Sequence, residues 1–190
     1  MDRRVLMCLL GPAGSGKSTL AGRLEQLRPE LVARVPVDFF FRPRAVGESL
    51  TAYFDRPFAY DWTHLDRALV ADGSRRTTPD CDFTLFRWRA GHGGLPIGRA
   101  PVYALDGMRP HPRAELVVRL DIDGPTQIGR LRDRDMRWGS SVADRAEHLR
   151  RTNQAGSAEL TRTPDLILSA TDPVDDNAIR VLELLRSAYR

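Results

Sequence analysis

The sequence predicts an α/β fold in three layers, a parallel sheet with helices on both faces. Three observations predict it. Short apolar runs alternate with segments of helical periodicity along the chain. The first run, Val5 to Leu10, leads directly into Gly11-Pro-Ala-Gly-Ser-Gly-Lys-Ser-Thr19, and Leu20, Leu24 and Leu27 follow at helical spacing. Two more runs end in an acid, Leu31 to Val37 at Asp38 and Pro101 to Leu105 at Asp106. In open parallel sheets, ligands bind beyond the carboxyl ends of strands.

The other elements follow in order. Lys17 to Leu27 reads as the first helix, and Pro36 interrupts the second strand. Arg42 to Asp61 is rich in proline and poor in periodicity, hence a loop. His64 to Ala71 places Leu65, Ala68 and Leu69 on one helical face. Ser74 to Gly98 is irregular, with a short hairpin from Arg76 to Trp88. Leu116 to Leu120 is a fourth strand, Pro125 to Met136 an arginine-rich helix, and Val142 to Leu160 another. Leu166 to Leu168 is the last strand and Asp176 to Ser187 the last helix. With no internal repeat or low-complexity linker, residues 1–190 read as one domain.

A chain of 190 residues can bury a proper core. The net charge of +4 is mild and spread out, so nucleic acid is not the expected partner. Cys8 and Cys81 make no disulfide framework, and Cys8, in the first strand, reads as a small core residue. No apolar stretch is long enough to cross a membrane. The first strand begins at once, so no cleavable signal is expected, and a cytoplasmic location follows by default.

The Gly11–Thr19 stretch fits G-x-x-x-x-G-K-[ST], a loop that wraps phosphate groups. Gly11, Gly14 and Gly16 free the backbone, so that successive N–H groups, those of Ala13, Ser15 and Thr19 included, can converge on one anion. The helix starting at Lys17 adds its positive end. Lys17 would bridge the β- and γ-phosphates and the Ser18 hydroxyl would ligate Mg²⁺. Lys17 is the only lysine; every other basic side chain of the +4 chain is arginine. A lysine kept against that bias suggests that a compact ammonium is needed there.

Val102-Tyr-Ala-Leu-Asp106 is an apolar strand ending in an acid, whose carboxylate would hold a Mg²⁺-bound water. Asp38 could take a proton from an attacking hydroxyl or help to hold the metal. Arg130, Arg134 and Arg137 lie in an Arg/Asp-rich helix followed by Gly139-Ser-Ser, a flexible break. Arginines on such a segment can stabilise transferring phosphates, although alternating charges also describe a solvated face. At least one of the three is expected to reach a phosphate.

The chain resembles the uridine kinase family of P-loop kinases, related to phosphoribulokinase and pantothenate kinase. The resemblance runs in order over nearly the whole chain: the phosphate loop; Val37-Asp-Phe-Phe40; Phe54-Asp-Arg-Pro-Phe-Ala-Tyr-Asp61 against F-D-H-P-x-A-F-D; Pro79-Asp-Cys-Asp-Phe83 against P-x-Y-D-F; Leu105-Asp-Gly107; the arginines of 130–137; and Pro164-Asp-Leu-Ile-Leu168. It implies a P-loop NTPase fold with a helical arginine-rich lid, approximately residues 124–160. It also implies a catalytic base at Asp38 and substrate contacts from Asp55 and Asp82. Departures are as informative. Cys81 and Phe86 stand where the family has its pyrimidine-reading Tyr and His, Arg56 replaces a His, and Asp106 a Glu.

Together these imply an ATP- and Mg²⁺-dependent kinase acting on a hydroxyl of a small metabolite. Asp38, Asp55, Arg56, Asp82, Phe86 and Arg89 would shape the acceptor pocket. Its partners are nucleotide and acceptor, with neither membrane nor nucleic acid, and a homodimer is left open. The alternatives are a nucleotide hydrolase or a nucleotide-binding regulator without an acceptor, or a true nucleoside kinase. A GTP switch is disfavoured, since Asn-Lys-x-Asp needs a second lysine.

Overall fold

The computed structural model describes residues 4–49, 52–53, 60–73, 76–82, 87–138 and 163–188, with backbone alone at 90–93 and 135–138. Its centre is a five-stranded parallel sheet: β1 (Val5–Leu10), β2 (Val32–Pro36), β5 (Val102–Asp106), β6 (Leu116–Asp121) and β7 (Leu166–Ser169). The spatial order is β2-β5-β1-β6-β7. Because β1 is central, the loop after it opens where the strand order turns outward on either side, the crevice that such sheets offer to ligands.

Every residue of β1 is buried, as a strand covered on both faces must be. Val5, Met7 and Leu9 pack with Leu20, Ala21 and Leu24 of α1 (Lys17–Leu27) and with Ala178, Val181 and Leu185 of the C-terminal helix (Val174–Ala188). Leu6, Cys8 and Leu10 face the other way, toward Leu65, Ala68 and Leu69 of α2 (Trp62–Val70). Asp61 caps α2, its Oδ1 accepting the His64 N–H at 2.9 Å. Both cysteines are free and buried.

The element boundaries hold closely, with two differences. Asp38 does not close β2; it sits in a 3₁₀ turn, Val37–Phe40, beyond the strand. The turn is fixed by Phe41 N–H to Asp38 O (3.4 Å) and Asp61 N–H to Phe40 O (2.7 Å). The hairpin is also longer than its sequence suggests, pairing β3 (Thr77–Asp82) with β4 (Arg87–Pro96) from Asp82↔Arg87 to Thr77↔Pro96. Register shifts on either side of Pro79 break the alternation that would have revealed it. Gly94 permits the close pairing, since a Cβ there would lie 2.3 Å from Thr78 Oγ1. In the expected loop, Phe41 and Tyr60 form an antiparallel bridge with stacked rings, centroids 4.6 Å apart.

The arginine-rich helix is α3 (Gly124–Trp138), making the C-terminal helix α4. Asp123 starts it by accepting the Thr126 N–H at 2.8 Å, and buried Leu131 anchors it. The helix expected over Val142–Leu160 lies outside the described residues, as does most of the expected lid beyond Trp138.

Leu24 is 0% exposed between α1 and the sheet. Leu24→Ala is expected to lower unfolding free energy by about 2–5 kcal/mol, read from the urea midpoint at unchanged slope.

Candidate active site

The loop between β1 and α1 has the backbone that its glycines foretold. Gly14 and Gly16 take φ 83° and 90°, left-handed values that a side chain resists. Gly11 serves a close approach: a Cβ there would lie 2.5 Å from the Leu120 carbonyl oxygen and 2.8 Å from Ser15 Oγ. The Lys17 ammonium folds back over the loop, donating to Gly11 O at 2.8 Å and Pro12 O at 2.9 Å. Burial pushes its pKa down, and Asp38 and Asp106 pull it back up.

A cavity of about 570 Å³ opens over this loop. The residues from Ala13 to Thr19 line it, Asp38 enters from the 3₁₀ turn after β2 and Asp106 from the end of β5, and Arg130 and Arg134 from α3. Burial raises the Asp38 carboxyl above its ordinary range, while Lys17, the Tyr60 hydroxyl and Arg134 hold it down. Burial also pushes Asp106 up to about 6, against Arg34 and a hydrogen bond from Ser18. The Arg34 Nε lies 3.1 Å from Asp106 Oδ2. Arg130 bridges two loops, donating to Gly14 O at 3.2 Å and to Ala170 O at 2.8 Å, and Gln127 Nε2 reaches Ala13 O at 2.9 Å.

The donor set fits a hard cation alongside a phosphate ligand. A hydroxyl and a carboxylate, Ser18 and Asp106, are already hydrogen bonded to each other, and the buried Ser15 Oγ has no partner. Among the described residues no cluster of three or more His, Cys, Asp or Glu could cage a metal by itself. Mg²⁺ needs none, since it keeps waters and binds through one or two carboxylates and substrate phosphates.

Most of the residues expected to hold nucleotide and metal therefore converge. The acceptor set is placed differently. Arg89 pairs with Asp82 at 3.4 Å and with Asp80 at 3.9 Å, and it lines a second cavity of about 660 Å³ between α2 and the β3–β4 ribbon. Cys81 is buried, its thiol pushed up to about 11 by burial, with the charges of Asp82, Asp38 and Asp80 adding to the rise. Asp55, Arg56 and Phe86 lie outside the described residues, as does the side chain of Arg137.

Three residues escaped the sequence reading. Arg34 is a cation inside the apolar strand Val32-Ala-Arg-Val-Pro36, a signal that was there to be read. Tyr60 donates to Asp38, although nothing local marks it. Asn177, 3% exposed on α4, lines the cavity with its Nδ2 on Ser169 O at 2.8 Å.

No protein-family model matches the chain, and no curated protein matches it in sequence. Solved structures do match in fold. A candidate fructose transport system kinase from Silicibacter sp. TM1040 superposes with a TM-score of 0.63 at 21% identity, covering 88% of this chain and 91% of its own. Shikimate kinase from Acinetobacter baumannii in complex with shikimate gives 0.53 at 15% identity, covering 99% and 96%. A gluconokinase from Sinorhizobium meliloti 1021 gives 0.54 at 12% identity, covering 99% and 100%. The chain has the α/β P-loop kinase fold, a parallel five-stranded sheet flanked by helices. No helix among the described residues is long and apolar enough to cross a membrane.

The raised Asp106 pKa carries a stability consequence. Between its ordinary value of 3.8 and its folded value of about 6, the folded chain keeps a proton that the unfolded chain has released. Stability therefore falls as pH rises through that window, and Asp38 adds the same sign. Unfolding free energy without nucleotide is expected to drop by roughly 1–3 kcal/mol between about pH 4 and about pH 6. Asp106→Asn should flatten most of that drop in urea titrations.

Proposed function

We propose that this chain is an ATP- and Mg²⁺-dependent kinase that transfers the γ-phosphoryl group to a hydroxyl of a small metabolite. One observation carries the reading: a glycine-rich loop with its lysine shares a single cavity with the carboxylates of Asp38 and Asp106 and two arginines of one helix. The kinase fold of the structural neighbours supports it.

The residues take these roles. Loop amides from Ala13 to Thr19 and the Lys17 ammonium bind the β- and γ-phosphates, the ammonium exchanging its contacts with Gly11 O and Pro12 O for phosphate oxygens. Ser18 and Asp106 would hold Mg²⁺, which when bound supplies charge neutralisation on the phosphates. Asp38 accepts the proton of the acceptor hydroxyl. The acceptor oxygen bonds to the γ-phosphorus as the bond to the β–γ bridging oxygen breaks, and ADP leaves. Arg130 and Arg134, with Arg137, stabilise charge on the transferring group and help to exclude water that would otherwise hydrolyse ATP. We read residues 1–190 as a single kinase domain with a lid over approximately 124–160, acting in the cytoplasm, where free buried cysteines such as Cys8 and Cys81 are at home.

The acceptor side is uridine kinase-like in outline, with the pyrimidine readers replaced. Asp55, Arg56, Asp82, Phe86 and Arg89 would line it. A phenyl ring at 86 offers no hydrogen bond to a base edge, and the Cys81 thiol, buried and protonated, offers only a weak one.

An ATP-consumption screen over nucleosides, vitamins, sugars and hydroxylated amino acids tests the reading, and turnover with none of them, beside tight ATP binding, would favour a regulator. Lys17→Ala is expected to cut turnover by about 100-fold or more in a folded protein, since it removes charge stabilisation of the transition state. Asp38→Asn should lower kcat by about 100- to 10,000-fold with little change in ATP affinity. Near-normal rates in either folded variant would sink that residue's role. Uridine and cytidine are expected to show far lower kcat/KM than the best hit, by about 1–3 kcal/mol for each lost contact. Ordinary uridine turnover would mean that other residues read the base.

A further inference from the structure

Tyr60 belongs to none of the roles above, yet it is the side chain hydrogen bonded to Asp38. Its hydroxyl donates to Asp38 Oδ1 at 2.9 Å and accepts the Met108 backbone N–H at 3.1 Å. With Asp38 ionised, the carboxylate can only accept and the backbone N–H can only donate, so the single phenolic proton goes to the carboxylate. Burial, then the Asp38 charge, raises the phenol well above its ordinary range, which keeps it a donor at working pH.

The ring has little freedom. Tyr60 is 1% exposed, stacks on Phe41 at 4.6 Å and leans on Trp62 at 4.9 Å. The backbone beyond β5 lies close against it: a Cβ on Gly107 would come within 3.2 Å of Val37 Cβ and 3.5 Å of the Tyr60 hydroxyl. Asp38 Oδ2 has no hydrogen-bond partner among the described residues, and Asp38 borders the phosphate-loop cavity.

We infer that Tyr60 is a positioning residue: its hydroxyl fixes one oxygen of Asp38, leaves the other for the acceptor, and ties the carboxylate to Met108, two residues beyond Asp106 at the end of β5. The inference rests on the kinase reading for its catalytic consequence, but the Tyr60–Asp38 link stands on geometry alone. The tie sets the spacing between the proton acceptor and the phosphate site. Geometry of this kind matters because a proton acceptor works only when held within hydrogen-bond reach of the group it deprotonates. Other groups also face Asp38: Lys17 from α1, Arg134 from α3, Asp106 from β5 and Cys81 from the ribbon. The hydroxyl is one influence among several on its charge, but the sole hydrogen bond on it among the described residues.

Tyr60→Phe isolates the hydroxyl while keeping the ring. Three measurements accompany it: carboxyl ¹³C titration of Asp38, assigned through Asp38→Asn; binding of a fluorescent ADP analogue; and kcat and KM with the best acceptor of the screen. The expected result is an Asp38 midpoint higher by about one pH unit. With it should come a kcat lower by about 10-fold, with ADP binding and the thermal midpoint nearly unchanged. An unchanged Asp38 midpoint overturns the inference. So does an unchanged kcat, or a kcat loss matched by equal losses in ADP affinity and thermal stability, which would mark a purely structural tether. Failure of the wild-type chain to bind ADP would instead strike the kinase reading, and the carboxyl titration would still decide whether Tyr60 holds Asp38.

Discussion

An ammonium folded onto the carbonyls of its own loop, with two raised carboxylates sharing its cavity, is the charge arrangement on which the rest of this structure depends. Lys17 without Asp38 and Asp106 would be a buried cation with only loop dipoles to hold its proton. Asp38 without Lys17 would keep only Tyr60 and Arg134 against its burial, and its charge already raises the pKa of Asp106, which Arg34 and Ser18 hold down. Their mutual support explains the topology. β1 must be central to deliver the loop, β5 must lie beside it to bring Asp106 level with Leu9, and β2 must flank β5 so that the turn after it presents Asp38.

Around that cluster the chain accepts local costs that only a ligand would offset. Two loop residues hold left-handed backbone, Ser15 Oγ is buried without a partner, and Asp106 stays in a setting that favours its neutral form. These three costs meet at the phosphate loop, while both faces of the sheet are packed by α1 and α4 on one side and α2 on the other. Concentrating strain where an anion would be held is how a site is organised in advance of its ligand, since its donors then need not reorganise during the reaction.

What could be read in the sequence divides along the same line. β1, the loop and α1 were legible to the residue, because a phosphate loop must place glycine, lysine and hydroxyl at fixed offsets and the flanking leucines betray the periods. Asp106 was legible because an apolar run stops at it. Asp38 was legible as a residue but not in its local structure, since a four-residue 3₁₀ turn has no periodicity to display. The ribbon was half hidden by its register shifts. Tyr60 meets Asp38 across 22 residues, and a contact of that kind leaves no trace in local pattern, whereas Arg34, 72 residues from Asp106, shows itself only as a cation inside an apolar strand.

That division bears on how acceptor choice is built. In the proposed reading, the nucleotide side would be made largely of backbone: amides of one loop, a helix terminus, and carbonyls held by Arg130 and Gln127. Backbone sites depend on fold and a few glycines, so chains at 12–21% identity can share the fold while their other side chains diverge. The acceptor side proposed above would draw on side chains of the β3–β4 ribbon, which is not part of the five-stranded sheet. On that ribbon Cys81 is buried, its thiol raised to about 11, and Asp82 pairs with Arg89. Asp38 stands between the two sides, and Tyr60 joins it to the strand-borne half. If Asp38 is the proton acceptor proposed above, fixing it to the rigid half would keep its aim whatever the ribbon carries, and the ribbon could then change acceptor without disturbing the chemistry at the phosphate.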